Sequence, residues 1–190
     1  DESIEALIKQ VDEQWGELDF LVHSLAYADT QDLSKPFSET LRDGFNKAME
    51  ISAYSLLPLA KGVIPMMRKR GGGSIVSMSF IGSTLAVPNY NVMGPAKAAL
   101  ESCTRYLARE LGPENIRINS LSPGAIRTLS SAGIKDISEM IRVAGEHSAM
   151  KRTATQAEVA NTAAFLLSDA ASGITGQLIY VDCGYSIMAN

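Results

Sequence analysis

The sequence predicts an α/β domain in which a doubly wound parallel sheet is wrapped by helices on both faces. Two observations carry that expectation. Short, apolar, β-prone runs recur along the chain, and a longer segment of helical periodicity separates each from the next. Size adds a third: 190 residues can bury one respectable core, so a single domain, or most of one, is expected over 1–190.

Taken in order, Ile4, Leu7, Ile8, Val11 and Trp15 fall at helical spacing, and Gly16 marks the stop of a helix over 2–15. Leu18 to Ser24 (LDFLVHS) reads as a buried strand. The segment from Glu39 to Arg70 reads as helix, kinked or divided by Pro58 and Pro65. Ser74 to Ser79 is a strand, Asn91 to Leu111 a helix and Ile116 to Leu121 another strand. Helices near 136–146 and 156–168 follow, and Leu178 to Asp182 closes the pattern as a strand. Right-handed crossovers place all strand C-termini on one edge, where such sheets bind ligands. Loops 24–30, 79–90 and 122–135 leave that edge.

Composition narrows the function classes. Hydrophobic residues at 46%, charged residues at 20% and a formal net charge of -4 describe an ordinary soluble protein. Arg68, Lys69 and Arg70 form a short basic cluster that reads as a solvated helix end, so nucleic acid is not expected as a partner. Cys103, Cys183, His23 and His147 are too scattered for a zinc site or a disulfide framework, and no metal is expected. No apolar run approaches the roughly 20 residues of a membrane span. The start, Asp1-Glu2-Ser3, lacks signal-peptide character. A cytoplasmic protein with no membrane partner is the expectation.

A dinucleotide site normally opens with a strand, a glycine-rich turn and a helix N-terminus. That part is absent from this sequence, and Gly71-Gly72-Gly73 precedes a strand and reads as a turn. The chain as written is therefore expected to bind dinucleotide poorly.

Chemistry concentrates in Pro88-Asn89-Tyr90-Asn91-Val92-Met93-Gly94-Pro95-Ala96-Lys97-Ala98-Ala99-Leu100-Glu101. Seven residues are nearly two helical turns, which returns Tyr90 and Lys97 to almost the same face. Pro95 is comfortable only in a first turn, so the helix begins near 91–94 with Tyr90 at its edge. A phenol beside an ammonium suits an oxyanion site. Proximity of the cation predicts a lowered Tyr90 pKa. His23 reads as a packed histidine, Asp182 and Cys183 as turn and packing residues, and Met66 and Met67 as core fillers.

This stretch resembles the short-chain dehydrogenase/reductase superfamily and, more narrowly, the enoyl-acyl carrier protein reductases. Those enzymes place lysine seven after tyrosine. The commoner pattern of four would need tyrosine at 93, where this chain has Met93. The likeness continues through LVHSLAYAD (21–29), Lys151-Arg152-Thr153, Gly173-Ile174-Thr175-Gly176 and Val181 to Ser186. It implies a Rossmann-like fold and reduction of a trans-2-enoyl thioester, carried on acyl carrier protein, by NADH in a homotetramer. It further implies that Tyr90 bonds the thioester carbonyl and that Lys97 holds the nicotinamide ribose. Leu25 would line the adenine side, and Ile126, Arg127, Thr128, Leu129 and Ser130 the nicotinamide and pyrophosphate. Ala28, Phe80 and Met93 would face the acyl substrate, with residues 128–140 as a substrate-binding loop. Many members carry a second tyrosine ten residues before the first; here it is Phe80, which keeps an aromatic wall without a hydroxyl. The alternatives are a short-chain alcohol or ketone dehydrogenase, disfavoured by the lack of Tyr at 93 and Ser at 80, and a non-catalytic binding protein that retains the fold.

Overall fold

The computed structural model describes residues 2–128, 131 and 134–189. Its frame is a four-stranded sheet in the order β1-β2-β3-β4, with β1 at Phe20–His23, β2 at Gly73–Met78, β3 at Ile116–Pro123 and β4 at Leu178–Val181. All three pairings are parallel, with Val22 opposite Val76, Val76 opposite Asn119, and Leu121 opposite Ile179. α1 (Glu2–Trp15) precedes β1; parallel neighbours require crossovers, and α2 (Thr30–Ser34), α3 (Arg42–Met49), α4 (Leu56–Lys69), α5 (Met93–Leu111), α6 (Ile137–His147) and α7 (Gln156–Leu167) supply them.

Successive strand residues point to opposite faces; in β2 and β3 both faces are dry, whereas β1, read as a buried strand, leaves Phe20 and Val22 exposed on one face. Ile75 packs with Leu56, Val63 and Met67 of α4 and Leu100 and Leu111 of α5, while its neighbour Val76 packs with Val159 and Leu166 of α7. Ile118 and Leu121 divide between the same two layers. This is why β2 and β3 read as near-continuous apolar runs. Met66 and Met67 are buried fillers, as their composition suggests.

The segment 39–70 is divided, but not at a proline. α3 passes through a wide helical turn at Glu50–Tyr54 before α4 begins at Leu56. Pro58 is the third residue of α4, where an N–H has no intrahelical acceptor and its loss costs little. Pro65 lies inside α4, which nevertheless runs on to Lys69. The basic cluster closes that helix: Arg68 pairs with Glu114, Lys69 with Asp12, and Arg70 with Asp19 and Glu17.

Candidate active site

The exits of β1, β2 and β3 open into one cleft of about 490 Å³, lined from all three loops that the strand order singles out. Leu25, Ala28, Phe80, Tyr90, Met93, Lys97, Ile126 and Thr128 all face it. Arg127 does not: its guanidinium donates to the Ser138 hydroxyl at 2.7 Å, and its carbonyl accepts from Gln156 at 3.0 Å. Leu129 and Ser130 fall outside the described residues. Thr128 and Ser131 exchange backbone-to-hydroxyl bonds of 2.8 and 3.0 Å, and Ile134, Ile137 and Met140 complete that wall.

Tyr90 sits in a turn three residues ahead of α5, its N–H bonded to the Val87 carbonyl and its carbonyl to Met93 N–H. The turn needs unusual backbone on both sides, with Asn89 at φ 60° and Asn91 at φ 38°. Asparagine tolerates that region better than other non-glycine residues. The same side chains fasten the turn. Asn91 donates to the Leu33 and Lys35 carbonyls at 3.0 and 2.7 Å, and Asn89 to the Lys135 carbonyl at 3.3 Å. Phe80 stacks obliquely on the phenol, with centroids 4.8 Å apart and planes at 59°. Gly82 gives the ring room, because a Cβ there would stand 2.4 Å from Tyr90 Cδ1.

Lys97 occupies the second turn of α5 and is 5% exposed; its Nζ donates to the Met78 carbonyl at 2.6 Å. Burial pulls this ammonium down to about 8, against the opposing pull of Glu101. Tyr90 moves contrary to expectation. Its 7% exposure pushes the phenol upward, and the Glu101 carboxylate adds to the rise. Desolvation dominates and no lowering by the Lys97 cation is found, so Tyr90 holds its proton.

Sequence reasoning assigned no role to Ser79 or Glu101. Ser79 lines the cleft, and its hydroxyl donates to the buried Glu101 carboxylate. The available signal was the four-residue step from Lys97 to Glu101, which puts both on one helix face. His23 is a packed histidine: it is 1% exposed, its Nε2 bonds to Ser55 Oγ at 2.8 Å, and burial with the Lys97 charge lowers it to about 4. A second cavity of about 570 Å³ shares Phe80, Gly124, Ala125 and Met140 with the first and has Ile81, Leu85, Val87 and Val143 in its wall.

Tyr90 and Lys97 both line a cleft at the C-terminal edge of a parallel α/β sheet, the place where sheets of the Rossmann class bind their ligands. Comparison with known proteins narrows this. The sequence model of the family described as Enoyl-(Acyl carrier protein) reductase matches residues 1–186, and the chain belongs to that family. The enoyl-[acyl-carrier-protein] reductase [NADH] FabI of Synechocystis sp. is 52% identical over 188 residues, covering 99% of this chain and 72% of that protein. The Bacillus subtilis counterpart is 46% identical, covering 100% and 72%. Among solved structures, FabI from Candidatus Liberibacter asiaticus superposes with a TM-score of 0.95 at 41% identity, covering all of this chain and 72% of that one. The Aquifex aeolicus enzyme matches with a TM-score of 0.95 at 42% identity, covering 100% and 73%.

Proposed function

We propose a residue-level account of the reaction that family membership gives this chain, reduction of an enoyl-acyl carrier protein by NADH. The observation that carries it is that Tyr90 and Lys97 both line one largely apolar cleft. Bound NADH supplies the hydride. Negative charge then develops on the thioester oxygen, and the Tyr90 hydroxyl, kept protonated by burial, donates a hydrogen bond to that oxygen as the enolate forms. The bond is stronger to the enolate than to the ground-state carbonyl, which is what accelerates the step; the hydride would go to the β-carbon, and a proton reaching the α-carbon would collapse the enolate and complete the reduction.

The residues suit the cofactor. Lys97 Nζ has three donor protons, and the Met78 carbonyl takes one, leaving donors for the two hydroxyls of the nicotinamide ribose. Leu25 supports the adenine side, and Ile126 and Thr128 cover nicotinamide and pyrophosphate. Ala28, Phe80 and Met93 form the apolar wall for the acyl chain, and the adjoining cavity extends it. Loss of NADH absorbance with a crotonyl thioester, set against a ketone panel, tests the assignment. Turnover of ketones in preference to the enoyl thioester would overturn it in favour of an alcohol or ketone dehydrogenase.

The proposal extends to a cytoplasmic homotetramer over a single domain of residues 1–190. Tyr106, Phe165 and Ile187 are exposed apolar side chains of the kind that subunits bury. Among the described residues no helix is long and apolar enough to cross a membrane, and no cluster of His, Cys, Asp and Glu could hold a metal. Light scattering reads the mass, and a monomer sinks the tetramer.

A further inference from the structure

Two consecutive residues at the exit of β2 hold two consecutive turns of α5. The Met78 carbonyl accepts from Lys97 Nζ, and the next residue, Ser79, donates its hydroxyl to Glu101. Lys97 and Glu101 stand one turn apart on α5, and both are buried. Nothing in the chemistry above needs a carboxylate at that depth. One placed there is costly unless a charge and hydrogen bonds compensate it. The Ser79 hydroxyl supplies the bond, and the ammonium one turn back supplies the charge.

We propose that Glu101 is a positioning residue for Lys97: anchored by Ser79, its carboxylate is the counter-charge that keeps the buried ammonium protonated and directed into the cleft. The consequence for NADH rests on the assignment of Lys97 to the ribose. Among the described residues, His23 at the end of β1 and Glu101 on α5 interact electrostatically with Lys97, and Tyr90 lines the same cleft. His23 is neutral above about pH 4 and Tyr90 keeps its proton, so the carboxylate of Glu101 is the group among them that opposes the loss of the Lys97 charge. Burial already draws Lys97 down to about 8 while Glu101 opposes it. Removing the carboxylate leaves burial unopposed, and the ammonium is lost at lower pH.

Glu101→Gln keeps the shape and an acceptor for Ser79 but discards the charge. Reductive ¹³C-methylation with NMR, its Lys97 signal assigned through Lys97→Arg, follows that protonation without NADH. The expected midpoint is near 8 in the unaltered protein. In Glu101→Gln it falls by about one pH unit or more, with Glu101→Asp between the two. NADH affinity of Glu101→Gln should drop about fivefold at pH 8 and hardly at all at pH 6, since a midpoint one pH unit lower takes the charged fraction at pH 8 from about a half to about a tenth. An unmoved Lys97 midpoint overturns the proposal, as does an unchanged pH profile of NADH binding. NADH binding is read in protein that carries the glycine-rich N-terminal part this sequence lacks; if that protein, unaltered, binds no NADH, the reading of the cleft falls and the NMR result on Glu101 stands. Ser79→Ala keeps the charge but frees it, and should weaken NADH binding in the same sense by a smaller factor. It decides the matter if Glu101→Gln does not fold, and unchanged binding in it counts against the anchor.

Discussion

Acidification should unfold this protein through one imidazole. His23 lies at the end of β1 with 1% of its surface exposed. Ser55 donates its hydroxyl to the Ile51 carbonyl, so the bond between Ser55 and His23 Nε2 uses an Nε2 proton and leaves Nδ1 as the bare nitrogen. Nδ1 is buried with no hydrogen-bond partner. Taking up a proton there places a charge in a dry site beside the Lys97 ammonium, and these two causes, burial first, lower the group from 6.5 to about 4. A folded pKa below the unfolded one means that the folded state resists protonation. The associated stability is complete above pH 6.5 and drains away as pH falls toward 4. At about 1.4 kcal/mol for each pH unit, the full displacement amounts to about 3 kcal/mol, a sizeable share of the ordinary stability of a domain. His23→Gln retains a donor toward Ser55 and cannot be charged. Urea unfolding at a series of pH values between 7 and 4 should give a shallower loss in the variant, by about 2–3 kcal/mol at the acid end. Titrating carboxylates contribute equally to both proteins, so the difference isolates the imidazole. Equal losses in the two proteins would refute the reasoning.

The other expectations concern the phenol, the lysine and the backbone that carries them. Tyr90→Phe should lower turnover by about 10²–10³, as loss of an oxyanion donor does, while NADH affinity stays nearly unchanged; an unaltered rate removes Tyr90 from the mechanism. Lys97→Ala should chiefly weaken NADH binding, read by fluorescence titration, and unchanged affinity contradicts its ribose role. Gly82→Ala puts a methyl group 2.4 Å from the Tyr90 ring, so turnover should fall while circular dichroism stays native in form; full activity would mean that the ring can shift freely. Cys183 holds φ 56° without being glycine. Cys183→Gly should raise stability by about 0.5–1 kcal/mol as the left-handed strain is relieved, and a lowered melting temperature would show that the thiol packs better than its backbone suggests.

β2 and β3 were legible because burial on both faces leaves an uninterrupted apolar run such as Ile75-Val76, β1 and β4 through their short β-prone apolar runs although their residues are less buried, and half-buried helices such as α1 leave a stripe. The division of α3 from α4 was not, since the wide turn at 50–54 has no proline or glycine to announce it. Tyr90 and Lys97 were found through their spacing and the resemblance. The direction of the Tyr90 shift was misread because a neighbouring cation is visible in sequence and a sealed environment is not. Ser79 and Glu101 meet across 22 residues, and only the docking of α5 on the β2 exit joins them. Gly82 is one glycine among 15 in the sequence, distinguished only by the ring lying against it.

The basic cluster at the end of α4 bears on how the chain is made. Its pairs lie at the surface, where each adds about 0–1 kcal/mol, so the fold itself gains little from Arg68, Lys69 and Arg70. The strand they precede, Ser74-Ile75-Val76-Ser77-Met78, is uncharged and β-prone, the composition that self-associates when exposed. Three cations just upstream are gatekeepers of the kind that keep such segments apart while a nascent chain awaits its partners. Neutralising them would leave the melting point almost where it is and send refolding yield down through aggregation.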